Sequence, residues 1–80
     1  SIGVSSLGDV EGVQVKAEMS ASVWKLIASP GEDVKIGETI LVVEAMKAEF
    51  EVKATVTGKV QLHVKEGQVV QSGDLLASIA

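Results

Sequence analysis

An internal repeat constrains this chain more than any other feature. Gly31 to Ile40 matches Gly67 to Leu76 as Gly-x-x-Val-x-x-Gly-x-x-aliphatic at an offset of 36, and Ala17-x-x-x-Ala21-x-Val23 matches Ala54-x-x-x-Gly58-x-Val60 at an offset of 37. Both halves therefore carry the same supersecondary unit. Two units are too few for a solenoid, which needs at least about three. Each half must instead bury its apolar face against the other, which predicts a pseudo-twofold sandwich.

Glycines at 31, 37, 58, 67 and 73 punctuate short runs of Val, Ile and Leu, the pattern of brief strands joined by turns. The reading predicts strands near Val13 to Lys16, Ser22 to Ala28, Val34, Thr39 to Glu44, Glu49 to Lys53, Lys59 to Val64, Val69 to Val70 and Leu75 to Ile79. The Gly-x-x-Val-x-x-Gly units lack the Gly-Lys-Ser/Thr ending of a phosphate-binding loop.

The segment Thr39 to Val43 is continuously apolar, whereas Glu49 to Ala54 alternates as a half-buried strand does. Few residues separate them, so they form a hairpin. With Met46 and Lys47 as its two turn residues, Val43 faces Phe50, Leu41 faces Val52, and small Ala45 faces small Ala48. A one-residue slip would break that match. Tight turns of this kind want positive φ, usually supplied by Asn or Gly. Neither is present, so backbone strain is predicted at the tip. Glu44 falls opposite Glu49, and the cation of Lys47 offsets their repulsion. Met46 exposes apolar surface with nothing to bury it, which marks it as a recognition contact.

The run Glu44-Ala45-Met46-Lys47-Ala48-Glu49 resembles the attachment sequence of the biotinyl domains of biotin-dependent carboxylases. The resemblance extends over about residues 11 to 80. It implies an all-β flattened barrel, a barrel-sandwich hybrid of two four-stranded antiparallel sheets, with biotin joined covalently to Lys47 and Glu44, Ala45, Met46, Ala48 and Glu49 as the recognition flank. It implies a biotin carboxyl carrier with no catalytic residues of its own. Its implied partners are a biotin protein ligase, a biotin carboxylase domain and a carboxyltransferase domain. Ser22-Val23-Trp24-Lys25 looks most like the urea carboxylase members found in urea amidolyases. Two strand entrances depart from the family's Ala-Pro pattern, with Ala17-Glu18 and Ala54-Thr55, so their rigidity is in question. Ala48 also stands where Met commonly follows the lysine. The competing readings are a lipoyl carrier, which shares the barrel but usually has an acidic and a small polar residue before its lysine, and an unmodified structural barrel. At neutral pH an ordinary lysine side chain is nearly all ammonium, so attachment needs an activated acyl donor and a separate ligase.

The remaining features narrow the function by exclusion. With 80 residues, 46% of them hydrophobic, the core is small and a large internal active site is not expected. The absence of cysteine removes disulfides and thiolate metal sites, and one histidine cannot build a zinc cluster. Seven lysines against eleven acids give a net charge of −4, which disfavours nucleic acid. No run approaches the roughly 20 apolar residues of a membrane span. A cytoplasmic location is the expectation. His63 is expected at a strand rim without a catalytic partner, and Trp24 at the edge of the core with its ring nitrogen satisfied. Residues 1 to 10 read as a linker or flexible segment ahead of a carrier domain at 11 to 80, as in a piece of a longer polypeptide.

Overall fold

A computed structural model describes residues 10–80. The linker expected over 1–10 lies, apart from Val10, outside the described residues. Eight strands follow in order: β1 (Val13–Lys16), β2 (Ala21–Leu26), β3 (Asp33–Val34), β4 (Thr39–Ala45), β5 (Ala48–Lys53), β6 (Gly58–Leu62), β7 (Val69–Val70) and β8 (Leu75–Ile79). They form two four-stranded sheets, ordered β1-β8-β6-β3 and β5-β4-β2-β7, in which every pairing is antiparallel. The sheets pack as a flattened sandwich and do not close into one hydrogen-bonded barrel. Among the described residues no helix is long and apolar enough to cross a membrane.

Raising each strand number by four, counted cyclically, converts the first sheet into the second. The repeat read from the sequence is thus a pseudo-twofold of the fold. Its hydrogen bonds repeat as well. Gly31 N donates to Val60 O at 2.6 Å and Gly67 N to Val23 O at 2.7 Å; Gly37 N donates to Ala54 O and Gly73 N to Ala17 O, both at 2.8 Å. Each half's turns are therefore held by the other half. The two entrances without proline are fixed reciprocally, because Ala17 N donates to Asp74 O and Ala54 N to Glu38 O, each at 2.8 Å. Hydrogen bonds supply the restraint that a proline ring would.

Bulges explain how short strands fill the core. The β4–β5 register skips Ile40 between Thr39 and Leu41, and the β1–β8 register skips Leu76, so Ile40 with Leu41 and Leu76 with Ala77 all turn inward and are buried. A strict alternation would have sent one of each pair to solvent. The two bulges are related by the pseudo-twofold. They join Val23, Val34, Val60, Val70 and Ile79 in one core.

Two predicted strands end earlier than their apolar patterns. β2 stops at Leu26 because Ile27 N and Ala28 N both donate to Ile40 O, ending the one-to-one ladder, and β6 stops at Leu62, after which His63 N reaches Leu76 O. β5 is also less buried than its alternation suggests. Val52 is half-buried but Phe50 is 37% exposed, since an edge strand has a neighbour on one side only.

Candidate functional site at the β4–β5 tip

The β4–β5 hairpin has the register predicted from its side chains: Leu41 with Val52, Val43 with Phe50, Glu44 with Glu49, and Ala45 with Ala48. Met46 and Lys47 remain as the two turn residues. Their φ angles are 52° and 63°, and among the described residues they are the only non-glycines with positive φ. Positive φ at both central positions is the mark of the primed turn whose twist suits a hairpin. Here it is imposed on two side-chain-bearing residues by the pairing on either side. The predicted strain is present.

Strain at Met46 carries a testable consequence. Met46 is 82% exposed, so its side chain contributes little packing. Replacing it by glycine removes a Cβ from a left-handed backbone and should stabilise the fold by about 1 kcal/mol, observed as a rise of roughly 4–8 °C in thermal midpoint. A midpoint that falls would mean that Met46 holds the hairpin by contacts the turn geometry does not require.

The lysine is presented without competition. Lys47 is exposed, and neither ion pair among the described residues involves it: Lys53 pairs with Glu51 at 3.8 Å and Lys59 with Asp33 at 3.0 Å. Ala45 and Ala48 beneath it are too small to cover its stem. Glu44, Ala48 and Glu49 are exposed and Ala45 is half-buried, so the whole predicted flank lies on one projecting tip. An amine at such an apex fits a group attached through an amide, which needs reach and access more than a pocket.

Other chemistry is weakly provided for. A groove of about 340 Å³ lies between Met19 and Ala21 on one side and Val43, Phe50 and Val52 on the other. Its charged lining, Lys16, Glu18, Glu51 and Lys53, includes no nucleophile beside a base. His63 Nε2 lies 2.9 Å from Ser78 Oγ. Ser78 is 2% exposed, so this Ser–His pair admits no substrate and serves to satisfy a buried hydroxyl. The rim position expected for His63 is observed. No group of three His, Cys, Asp or Glu able to hold a metal occurs among the described residues.

Trp24 departs from expectation. It is 50% exposed, with the Lys25 ammonium 6.0 Å from its ring. The β2–β4 register passes from Val23 opposite Val43 to Lys25 opposite Val42, which leaves Trp24 as an extra, bulged residue. The second half has no such bulge: Val60, Gln61 and Leu62 pair continuously with Ile79, Ser78 and Ala77. The signal was in the sequence. The repeat offset falls from 37 to 36 between the Val23/Val60 and Gly31/Gly67 matches, which requires one inserted residue in the first half.

The family described as biotin-requiring enzyme matches residues 11–79. A urea amidolyase of Saccharomyces cerevisiae is 41% identical over 71 residues, which are 86% of this chain and 4% of that protein. A protein named biotinylated protein TB7.3 homolog, from Mycobacterium leprae, is 40% identical over 67 residues, 82% of this chain and 94% of that one. Among solved structures, the Kluyveromyces lactis urea carboxylase superposes with a TM-score of 0.82 at 36% identity, covering 89% of this chain and 6% of that one. The chain thus spans only a small part of the large relatives it matches.

Proposed function

The chain belongs to the family of biotin-requiring enzymes, and from that premise we propose that it is a biotin carboxyl carrier domain with biotin joined by an amide to Lys47. One observation carries the assignment of the residue: Lys47 occupies a positive-φ turn at the exposed apex of β4–β5, inside the run Glu44-Ala45-Met46-Lys47-Ala48-Glu49. When bound, biotin supplies a ureido nitrogen that carries a carboxyl group from a biotin carboxylase site to a carboxyltransferase site. The domain's own residues present and position. The paired strands hold the turn rigid, Ala45 and Ala48 leave the stem clear, and Met46 offers an apolar contact to the ligase or to an active-site mouth. The tether raises the local concentration of its cargo at both sites. Catalysis belongs to partner domains.

Urea is the acceptor favoured by Ser22-Val23-Trp24-Lys25 and by the likeness to a urea amidolyase and a urea carboxylase. The assignment of the carrier group is tested by intact mass. Incubation with a biotin ligase, ATP and biotin is expected to add one biotinyl group, located at Lys47 by fragmentation of the digested chain. Modification by a lipoate ligase alone would move the protein to the lipoyl carriers, and modification at another lysine would displace Lys47.

A further inference from the structure

The pseudo-twofold provides an internal control for what the outer face of each sheet needs in order to fold. On the β1-β8-β6-β3 sheet, Asp33, His63 and Ser78 occupy three outward positions. Their counterparts at an offset of 36 on the β5-β4-β2-β7 sheet are Val69, Ile27 and Val42. Val69 is 66% exposed, Ile27 51% exposed, and Val42 partly exposed. At these three positions one face carries polar groups, Asp33 and His63 exposed and Ser78 buried with its hydroxyl bonded to His63, whereas the other carries aliphatics set among Ser22, Lys25, Glu44 and Glu51, so folding does not demand these apolar residues. Trp24 is added to that same face by a bulge with no counterpart. An exposed aromatic, inserted on the face that carries exposed Val69 and Ile27 and half-buried Val42, has the composition of an interaction hot spot.

Position and charge say what covers it. The face is continuous with the attachment hairpin, because β4 lies between β2 and β5 and the register sets Ser22 beside Glu44 and Glu44 beside Glu49. Between the apolar stripe and Lys47 lie two exposed carboxylates that make no ion pair among the described residues. A partner must therefore offer a pocket for Trp24 and cations facing Glu44 and Glu49. A site that handles bicarbonate and the phosphates of ATP has to be lined with cations, and such a mouth is complementary to this rim. We propose that the outer face of the β5-β4-β2-β7 sheet, centred on Trp24, docks on the ATP-dependent carboxylase domain while Lys47 reaches its site. The proposal rests on the carrier reading given above.

The test offers the biotinylated 80-residue chain in trans to the Kluyveromyces lactis urea carboxylase from which the equivalent carrier segment has been deleted, with free biotin as the reference acceptor. Variants are Trp24→Ala, Val69→Asp, and deletion of Trp24; Val69→Asp copies Asp33 of the first half, and the deletion copies the unbulged strand of the second half. Mass after the ligase step comes first, so that a chain not modified at Lys47 counts against the carrier reading and not against the docking face. The expected result is that the wild-type chain has a much lower KM than free biotin in bicarbonate-dependent ATP turnover. Each variant should raise that KM about tenfold, with kcat on the saturating biotinylated chain unchanged and thermal midpoints within a few degrees of wild type. Equal KM for chain and free biotin, equal KM for wild type and variants, or a loss confined to transfer from the carrier to urea would each overturn the proposal.

Discussion

A chain carrying Lys47→Arg will gain no biotinyl mass under conditions in which the wild-type chain is fully converted. Arginine keeps what the fold requires at this position. It is cationic, long and compatible with the exposed turn, and its Cβ meets the same strain at a φ of 63° that lysine does. Glu44 and Glu49 keep the same positive neighbour across their strand pair. The thermal midpoint should therefore stay within about 2 °C of wild type, as expected for a surface change of under ~0.5 kcal/mol. What changes is the nucleophile. A guanidinium holds its proton and delocalises its electrons, so it cannot form the amide that an amine forms with an activated acyl group. The six remaining lysines serve as the control for specificity. Full biotinylation of the arginine chain would show that the ligase accepts another lysine and that the turn is not the attachment point.

The loss would be all-or-none because the proposed site is one amine and not a network, and the turn that carries this amine was legible in sequence. A hairpin register is set by which side chains can share a face, and here the apolar pairs Val43–Phe50 and Leu41–Val52 leave two residues for the turn. Whatever occupies those positions must stand at the tip. The pseudo-twofold was legible on similar grounds, because glycines at matching offsets demand matching turns. The inward bulges at Ile40 and Leu76 were not visible. Within an unbroken apolar run such as Thr39 to Val43, alternation carries no phase, and nothing in the run marks where two successive side chains point the same way. Trp24 misled for a different reason. Its size favours burial, but an extra residue in one strand of a pair has no slot in the core when the partner strand already fills it. The partial exposure of Phe50 likewise reflects the missing neighbour of an edge strand, which strand order decides and local pattern does not.

Ile40→Ala should be the most destabilising conservative change in the domain, together with its pseudo-twofold mate Leu76→Ala. Ile40 is 0% exposed and Leu76 1% exposed, and each is the bulged residue that adds a second inward side chain to its strand. Truncating such a side chain removes its transfer free energy and leaves a cavity, at about 2–5 kcal/mol. An 80-residue domain has roughly 4–12 kcal/mol of stability in all at the usual value per residue, and it has no disulfide to restrain the unfolded chain. The core cannot readily collapse into the gap, because the turns that would have to move are bonded across the pseudo-twofold through Gly31, Gly37, Gly67 and Gly73. A fall in thermal midpoint of roughly 10–30 °C is expected for either variant. The neighbouring control is Ile36→Ala, at a residue 66% exposed, where the change should be under ~0.5 kcal/mol. Similar small shifts for Ile40→Ala and Ile36→Ala would mean that the bulge does not turn Ile40 inward. The hairpin would then lose its rigid base, since Leu41 and Val43 pack on the same side of β4 and hold the tip through the layer that Ile40 completes. A carrier that presents its cargo from a projecting turn depends on that layer, which links the stability of the core to the placement of Lys47.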